Sequence, residues 1–355
     1  MAKKQYDSVK QRRGHAVDHN KEKTIRMKTY RTPAQKANIR NLIILTVIVT
    51  AVCAVYLTLN SYPEKPQLFR YILSLRIPTL IVMLIAAFAI GGASIVFQSI
   101  INNRIVTPCL LGMNSMYTLV HTAVVFTVGS GSAVSTNSNL AFAVDLVIMG
   151  IAATFIYSYM FKKTGNNVLY VLLIGTVLSS FFGSIQSTMI RVMDPNEYDT
   201  LLTTLVADFN NVNSEVIAFS LILLLVLVLF LRKYLALLDV ITLGKDQAIN
   251  LGVDYDRTVR RLMLGVVLCI AVATAMVGPI SFLGLIIANL ARQLLRTHKH
   301  SHLIVGSALM GMLAIIAGQL VSQHVFSYAV PLSTFITIGG GIYFLYLLLF
   351  KKGGI

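Results

Sequence analysis

A chain of 355 residues that is 56% hydrophobic and only 12% charged, with a mean hydropathy of +0.74, is too apolar for a soluble globular protein of its size. Its net charge of +16 does not mark a nucleic-acid surface, because 12 of the 30 Lys and Arg residues fall in positions 1–40 and the others cluster in short segments between apolar runs. That is the distribution of basic loops kept on the cytoplasmic side of a membrane.

Positions 1–40 carry no sustained hydrophobic period and read as a basic, flexible cytoplasmic tail, with 41–355 as the transmembrane domain. The first apolar run, Leu42 to Leu59, is long enough to cross a bilayer and lies too far from the start for a cleaved signal peptide. Nine further runs follow at about 79–101, 110–128, 140–161, 168–190, 216–231, 262–277, 280–291, 303–321 and 333–350. The expected fold class is therefore all-α, a polytopic membrane protein of about ten transmembrane helices.

The seventh and eighth runs are separated only by Gly278-Pro279. One helix from Leu262 to Ala291 would be about 45 Å long, against a hydrocarbon core of about 30 Å, and both flanks are basic. Two passes turning at Gly278-Pro279 satisfy both facts. An even number of passes with both termini cytoplasmic then leaves only Lys65, Arg70, Arg76 and Arg191 outside. Asp145 is the one acidic residue well inside an apolar run, and it either faces the bundle or snorkels to the headgroups, or serves a pathway or docking role.

Several chemistries lack their residues. No Gly-Lys-Ser/Thr phosphate loop, HExxH or paired Cys occurs, and Cys53, Cys109 and Cys269 read as small hydrophobes. The tract Thr297-His298-Lys299-His300-Ser301-His302 reads as a solvated loop rather than a metal site. Gly339-Gly340-Gly341 in the last run suits close helix packing. Between the sixth and seventh runs, Ile241 to Val253 is polar, helix-capable and bracketed by Gly244 and Gly252, so it belongs to the water side, in a segment of about 232–261.

The stretch Gly278-Pro279-Ile280-Ser281-Phe282-Leu283-Gly284-Leu285, followed by Arg292, resembles the GPIxFxGL signature of FecCD-type permeases, membrane subunits of ABC importers for iron-siderophores, haem and vitamin B12. Arg76-Ile77-Pro78, Gln98, Thr107-Pro108, Leu111-Gly112, the LGxxxAxxLG-like stretch at Leu243 to Gly252, and Pro331 with Gly340 keep the family's order over about 42–350. The block Phe97-Gln98 to Asn102-Asn103-Arg104 and Thr107-Pro108 is most similar to permeases for catecholate-type siderophores such as petrobactin and anguibactin. Many members have Pro-His where this chain has Ala288-Asn289.

The resemblance implies a non-enzymatic transport subunit in the bacterial cytoplasmic membrane. It would pair with a second permease, the same or related, over two copies of an ABC ATPase subunit, which uses the ATP, and beneath an extracytoplasmic siderophore-binding protein. No cofactor is expected on the chain itself. Leu243, Gly244, Lys245, Asp246, Ala248, Leu251, Gly252 and Val253 would form two short helices that couple to the ATPase. The fifth run is unusually polar, and its Ser179, Ser180, Ser184, Gln186 and Ser187 either line a pathway or pack helices. Thr164, Gly165, Asn166 and Asn167 are placed to gate that helix, and Arg70 and Arg76 to dock the binding protein. A haem or vitamin B12 permease, or an ion-driven secondary transporter, is the alternative; the last would need more intramembrane ionisable groups than Asp145.

Overall fold

The computed structural model describes residues 33–59, 65–132, 137–164, 168–210 and 214–350. Twelve α-helices and one 3-10 turn make up the regular structure of these residues. In chain order they are α1 (Pro33–Thr58), α2 (Pro66–Ile101), the 3-10 turn (Pro108–Leu111), α3 (Met113–Val128), α4 (Ser138–Lys163), α5 (Val168–Val192) and α6 (Pro195–Leu205). There follow α7 (Ser214–Ile241), α8 (Lys245–Asn250), α9 (Tyr255–Val277), α10 (Leu283–Leu295), α11 (His300–His324) and α12 (Leu332–Phe350). Seven are long and apolar enough to cross a membrane, α10 and α12 are shorter apolar helices, and the remaining expected run, about 110–128, is filled by the end of the 3-10 turn and the 16-residue α3.

Several boundaries differ from the sequence expectation: α7 runs on to Ile241 and α9 starts at Tyr255, and two helix starts differ further. Helix α1 begins at Pro33, inside the expected tail, because Pro is pre-organised for a first helical turn and Ala34 to Ala37 propagate it. Helix α2 begins at Pro66 and carries Pro78 inside it, so it spans 36 residues and about 54 Å. A Pro removes one backbone bond without ending a membrane helix when neighbours hold the chain.

Helix α2 is the core of the bundle. From Thr79 onward most of its residues are buried, chiefly against α9 and α11. Small residues allow the close approach: a Cβ on Gly91 would lie 3.0 Å from the Ser307 backbone, and one on Gly284 would collide with the Ser94 hydroxyl.

The turn at Gly278-Pro279 is present, and it is longer than two residues. Helix α9 ends at Val277, and the chain stays non-helical until Leu283, with Gly278 at φ +87° and Phe282 at φ +61°. Protein covers this irregular stretch, as it must at membrane depth. The Asp208 N–H donates to the Val277 carbonyl at 2.9 Å, and Asn114 Nδ2 donates to Ser281 Oγ at 3.3 Å. Helix α10 is therefore only 13 residues, about 20 Å, and Phe282 packs where Gly340 of α12 leaves no room for a side chain.

Helix α6 was not expected from the apolar pattern. Asp194 caps it by accepting from the Asn196 N–H at 2.9 Å, Pro195 opens it, and Leu201 anchors it among Val125 and Met193.

Candidate translocation and coupling sites

Helix α5 has two faces with different chemistry. Val171, Gly175 and Phe182 are buried on the inner face. There Gly175 and Gly112 let the helix lie against the 3-10 turn, with Ser179 beside Gly112. Gln186 is on the same side: it accepts from Thr118 Oγ1 at 2.9 Å and donates to Thr122 Oγ1 at 3.3 Å, joining α5 to α3. Ser179 and Gln186 thus pack helices.

The outer face carries Thr176, Ser180, Ser184 and Thr188, all exposed and four residues apart, with Ser187 exposed beside them. Ser180, Ser184 and Thr188 each donate to the carbonyl four residues earlier, and Thr176 to that of Leu173. The stripe is polar, uncharged and satisfied within its own helix, and its oxygens still offer lone pairs outward.

The polar segment after α7 folds as one short helix, α8, and a turn, in place of the two short helices expected. Gly244 (φ +102°) opens it and Gly252 (φ +81°) closes it, conformations that favour glycine. Ala248 is fully buried and Val253 half-buried, so these two hold the segment to the protein rather than face outward. Leu243, Ile249 and Leu251 are 52%, 51% and 63% exposed, an apolar surface on the most polar stretch between α7 and α9. Lys245 pairs with Asp256 at 3.2 Å, and Asp246 is exposed in the first turn.

At the opposite end of α2, Arg70 is exposed, whereas Arg76 is committed within the protein. Its guanidinium donates to the Tyr56 carbonyl at 2.8 Å, reaches the carbonyls of Leu57 and Leu59, and lies over the Tyr56 ring. It closes the end of α1, whose last carbonyls have no helical donor. Arg76 also lines a cavity of about 840 Å³ with Asp208, Asn210 and Tyr328. Burial raises the Tyr328 phenol above its ordinary range. Of the expected gate, Thr164 caps α4 by donating to the Met160 carbonyl at 2.9 Å; Gly165, Asn166 and Asn167 lie outside the described residues.

Two polar groupings join residues that the sequence reading left separate. Asp145 faces the bundle: its Oδ2 is 2.6 Å from His121 Nδ1, and His121 Nε2 is 2.9 Å from Thr204 Oγ1 of α6. Thr204 donates its own proton to the Leu201 carbonyl at 2.9 Å, so its Oγ1 accepts from His121 Nε2 and the run Asp145–His121–Thr204 ties α4, α3 and α6 together. A lone His and a lone Asp in adjacent apolar runs were the available signal. In the second grouping, Asn289, at the departure from Pro-His, and Gln98 each donate to the Arg104 carbonyl at 2.9 Å.

Known proteins share this architecture. The FecCD transport family model matches residues 39–350. The petrobactin import system permease protein YclO of Bacillus subtilis (strain 168) is 39% identical over 279 residues, covering 79% of this chain and 89% of that protein. The petrobactin import system permease protein FatC of Bacillus anthracis is 28% identical over 293 residues, covering 82% of this chain and 83% of that one. Among solved structures, a transporter described as of the metal-chelate ABC type, in an inward-facing conformation, superposes with a TM-score of 0.75 at 22% identity, covering 89% of this chain and 100% of that one. The extent of the family match and the identity to YclO make the chain a member of the FecCD transport family.

Proposed function

We propose that the chain is the membrane permease of an ATP-driven importer that carries an iron-siderophore complex of the catecholate type inward across the bacterial cytoplasmic membrane. The substrate class follows the two petrobactin import permeases that the chain resembles. In this reading the basic end of the bundle is cytoplasmic, as are both termini.

The observation that carries the mechanism is the apolar surface of Leu243, Ile249 and Leu251 on a polar, water-side segment. An apolar patch on such a segment is unfavourable unless a partner covers it. An ABC ATPase subunit, present in two copies, is that partner, and ATP is bound and hydrolysed there. Ala248 and Val253 tie α8 to the bundle, so displacement of α8 moves α7 and α9, between which it is strung.

The pathway runs along the outer face of α5, where a second permease, the same or related, supplies the other wall. A ferric siderophore is large and anionic. Hydroxyls already satisfied within α5 contact it weakly enough to let it move, as conduction requires. Thr164, where α4 ends, belongs to a gate on α5, and exposed Arg70 offers a charge contact to the extracytoplasmic binding protein.

The test is co-purification of the ATPase with Leu243→Asp/Leu251→Asp, a double variant that alters exposed side chains only. Loss of the ATPase with an unchanged melting temperature is the expected result; undiminished recovery would sink the coupling assignment.

A further inference from the structure

At the basic end of the bundle a cavity of about 860 Å³ opens where α2, α7 and α10 end and α11 begins. Its charge is one-sided. Arg104, Arg292, Arg296 and Lys299 line it, with His298 and His300 beside them. The one carboxylate in its wall, Asp239, is already engaged: it accepts from the His300 N–H at 3.0 Å and pairs with the His300 ring. Among the described residues, no carboxylate lies within ion-pair reach of the two other arginines, of Arg292, or of Lys299.

The way these cations are held is a second, independent observation. Arg292 donates from Nη2 to Ser99 Oγ at 2.9 Å, while its Nε is sealed from solvent with no partner. Arg104 is fixed through its backbone by Gln98 and Asn289, which are 1% and 4% exposed, and Asn103 Oδ1 accepts from the Ile105 N–H to close the turn. Buried side chains thus fix the Arg292 guanidinium and the Arg104 backbone beside one space that exposed Arg296 and Lys299 also line, and among the described residues Asp239 is the one carboxylate in its wall, an excess of positive charge that a bound anion would offset.

We propose that this cavity binds a phosphate-bearing anion, held by Arg104, Arg292, Arg296 and Lys299. Guanidinium forks match the oxygens of a phosphoryl group, and cations from several segments suit a group with several oxygens better than a single carboxylate. Basic pockets between helices at a cytoplasmic membrane face hold anionic lipid headgroups, and a soluble phosphate offers the same chemistry. Thr242 and Leu243 line the same space, so the bound anion braces the chain that leads into α8.

The full chain alone, without an ATPase, is placed in phosphatidylcholine nanodiscs and its thermal unfolding followed. One arm adds inorganic phosphate or pyrophosphate; the other replaces part of the lipid with phosphatidylglycerol or cardiolipin. The proposal expects a rise in melting temperature in at least one arm, and apparent affinity weakened about tenfold for each cation lost. A rise with lipid alone identifies a headgroup; a rise with phosphate identifies a soluble ligand. Arg292→Gln disturbs a buried group, so the exposed Arg296→Gln/Lys299→Gln variant carries the decision. No rise in either arm, as when an acidic side chain of a partner is the true occupant, or an equal rise in that variant, overturns the proposal.

Discussion

The membrane span holds two kinds of polar region. Between α3, α4, α5 and α6, the groups of His121, Asp145, Thr204, Thr118 and Gln186 bond across helices. On the outer face of α5, Thr176, Ser180, Ser184 and Thr188 bond only within their own helix. Cross-helix bonds specify which helices meet, and removing one partner strands the other at low dielectric. Bonds kept within one helix specify no neighbour and leave a surface free for a second subunit or a moving cargo. Polarity in a membrane helix is architectural in the first case and available for transport in the second.

Substitutions can break this contrast, starting with the interior. His121→Ala leaves Asp145 buried without its partner and should cost about 3–5 kcal/mol, read as a large fall in melting temperature in detergent. Replacing both residues with Leu should recover most of that loss, since an apolar pair of similar volume is often neutral. A single variant as stable as the parent would remove the pair from the architecture.

Gly91→Val tests close packing in a different part of the bundle, between α2 and α11. The added methyls meet the Ser307 backbone on α11, and overpacking of this kind costs about 1–3 kcal/mol. Gln186→Leu should cost about 1–2 kcal/mol, through the hydroxyls of Thr118 and Thr122 left without it. On the open face, Ser184→Leu should move stability by no more than about 0.5 kcal/mol while lowering siderophore uptake. The two outcomes together separate the regions: a destabilised Ser184→Leu, or one with normal uptake, erases the distinction drawn for α5.

Much of the fold was legible in the sequence because each membrane crossing must be a continuous apolar helix, and the runs from Leu42 onward say where. Gly278-Pro279 separated α9 from α10. What escaped has a physical reason in each case. Helix α6 is amphipathic and short, so no apolar run announces it; its Asp194-Pro195 start was the readable mark. Helix α2 continues before Pro78 because its neighbours, not its composition, tolerate the missing N–H.

The candidate site was less legible. Composition picked out α5 as polar, but Ser179 and Gln186 differ from Ser180 and Ser184 only in which way the helix turns them. Arg76 looked like a free outer charge, and only the fold shows it spent on the carbonyls that end α1. Asn289 looked like a departure from a motif, and together with Gln98 it holds the Arg104 carbonyl in place.

The most direct test of the transport account is uptake of radioiron, supplied as a ferric catecholate siderophore, by cells that lack other siderophore permeases and carry this chain with its ATPase and binding protein. Accumulation that requires an ATPase able to hydrolyse ATP is the predicted result. Accumulation that persists with a hydrolysis-dead ATPase, or none with any ferric siderophore, would contradict it.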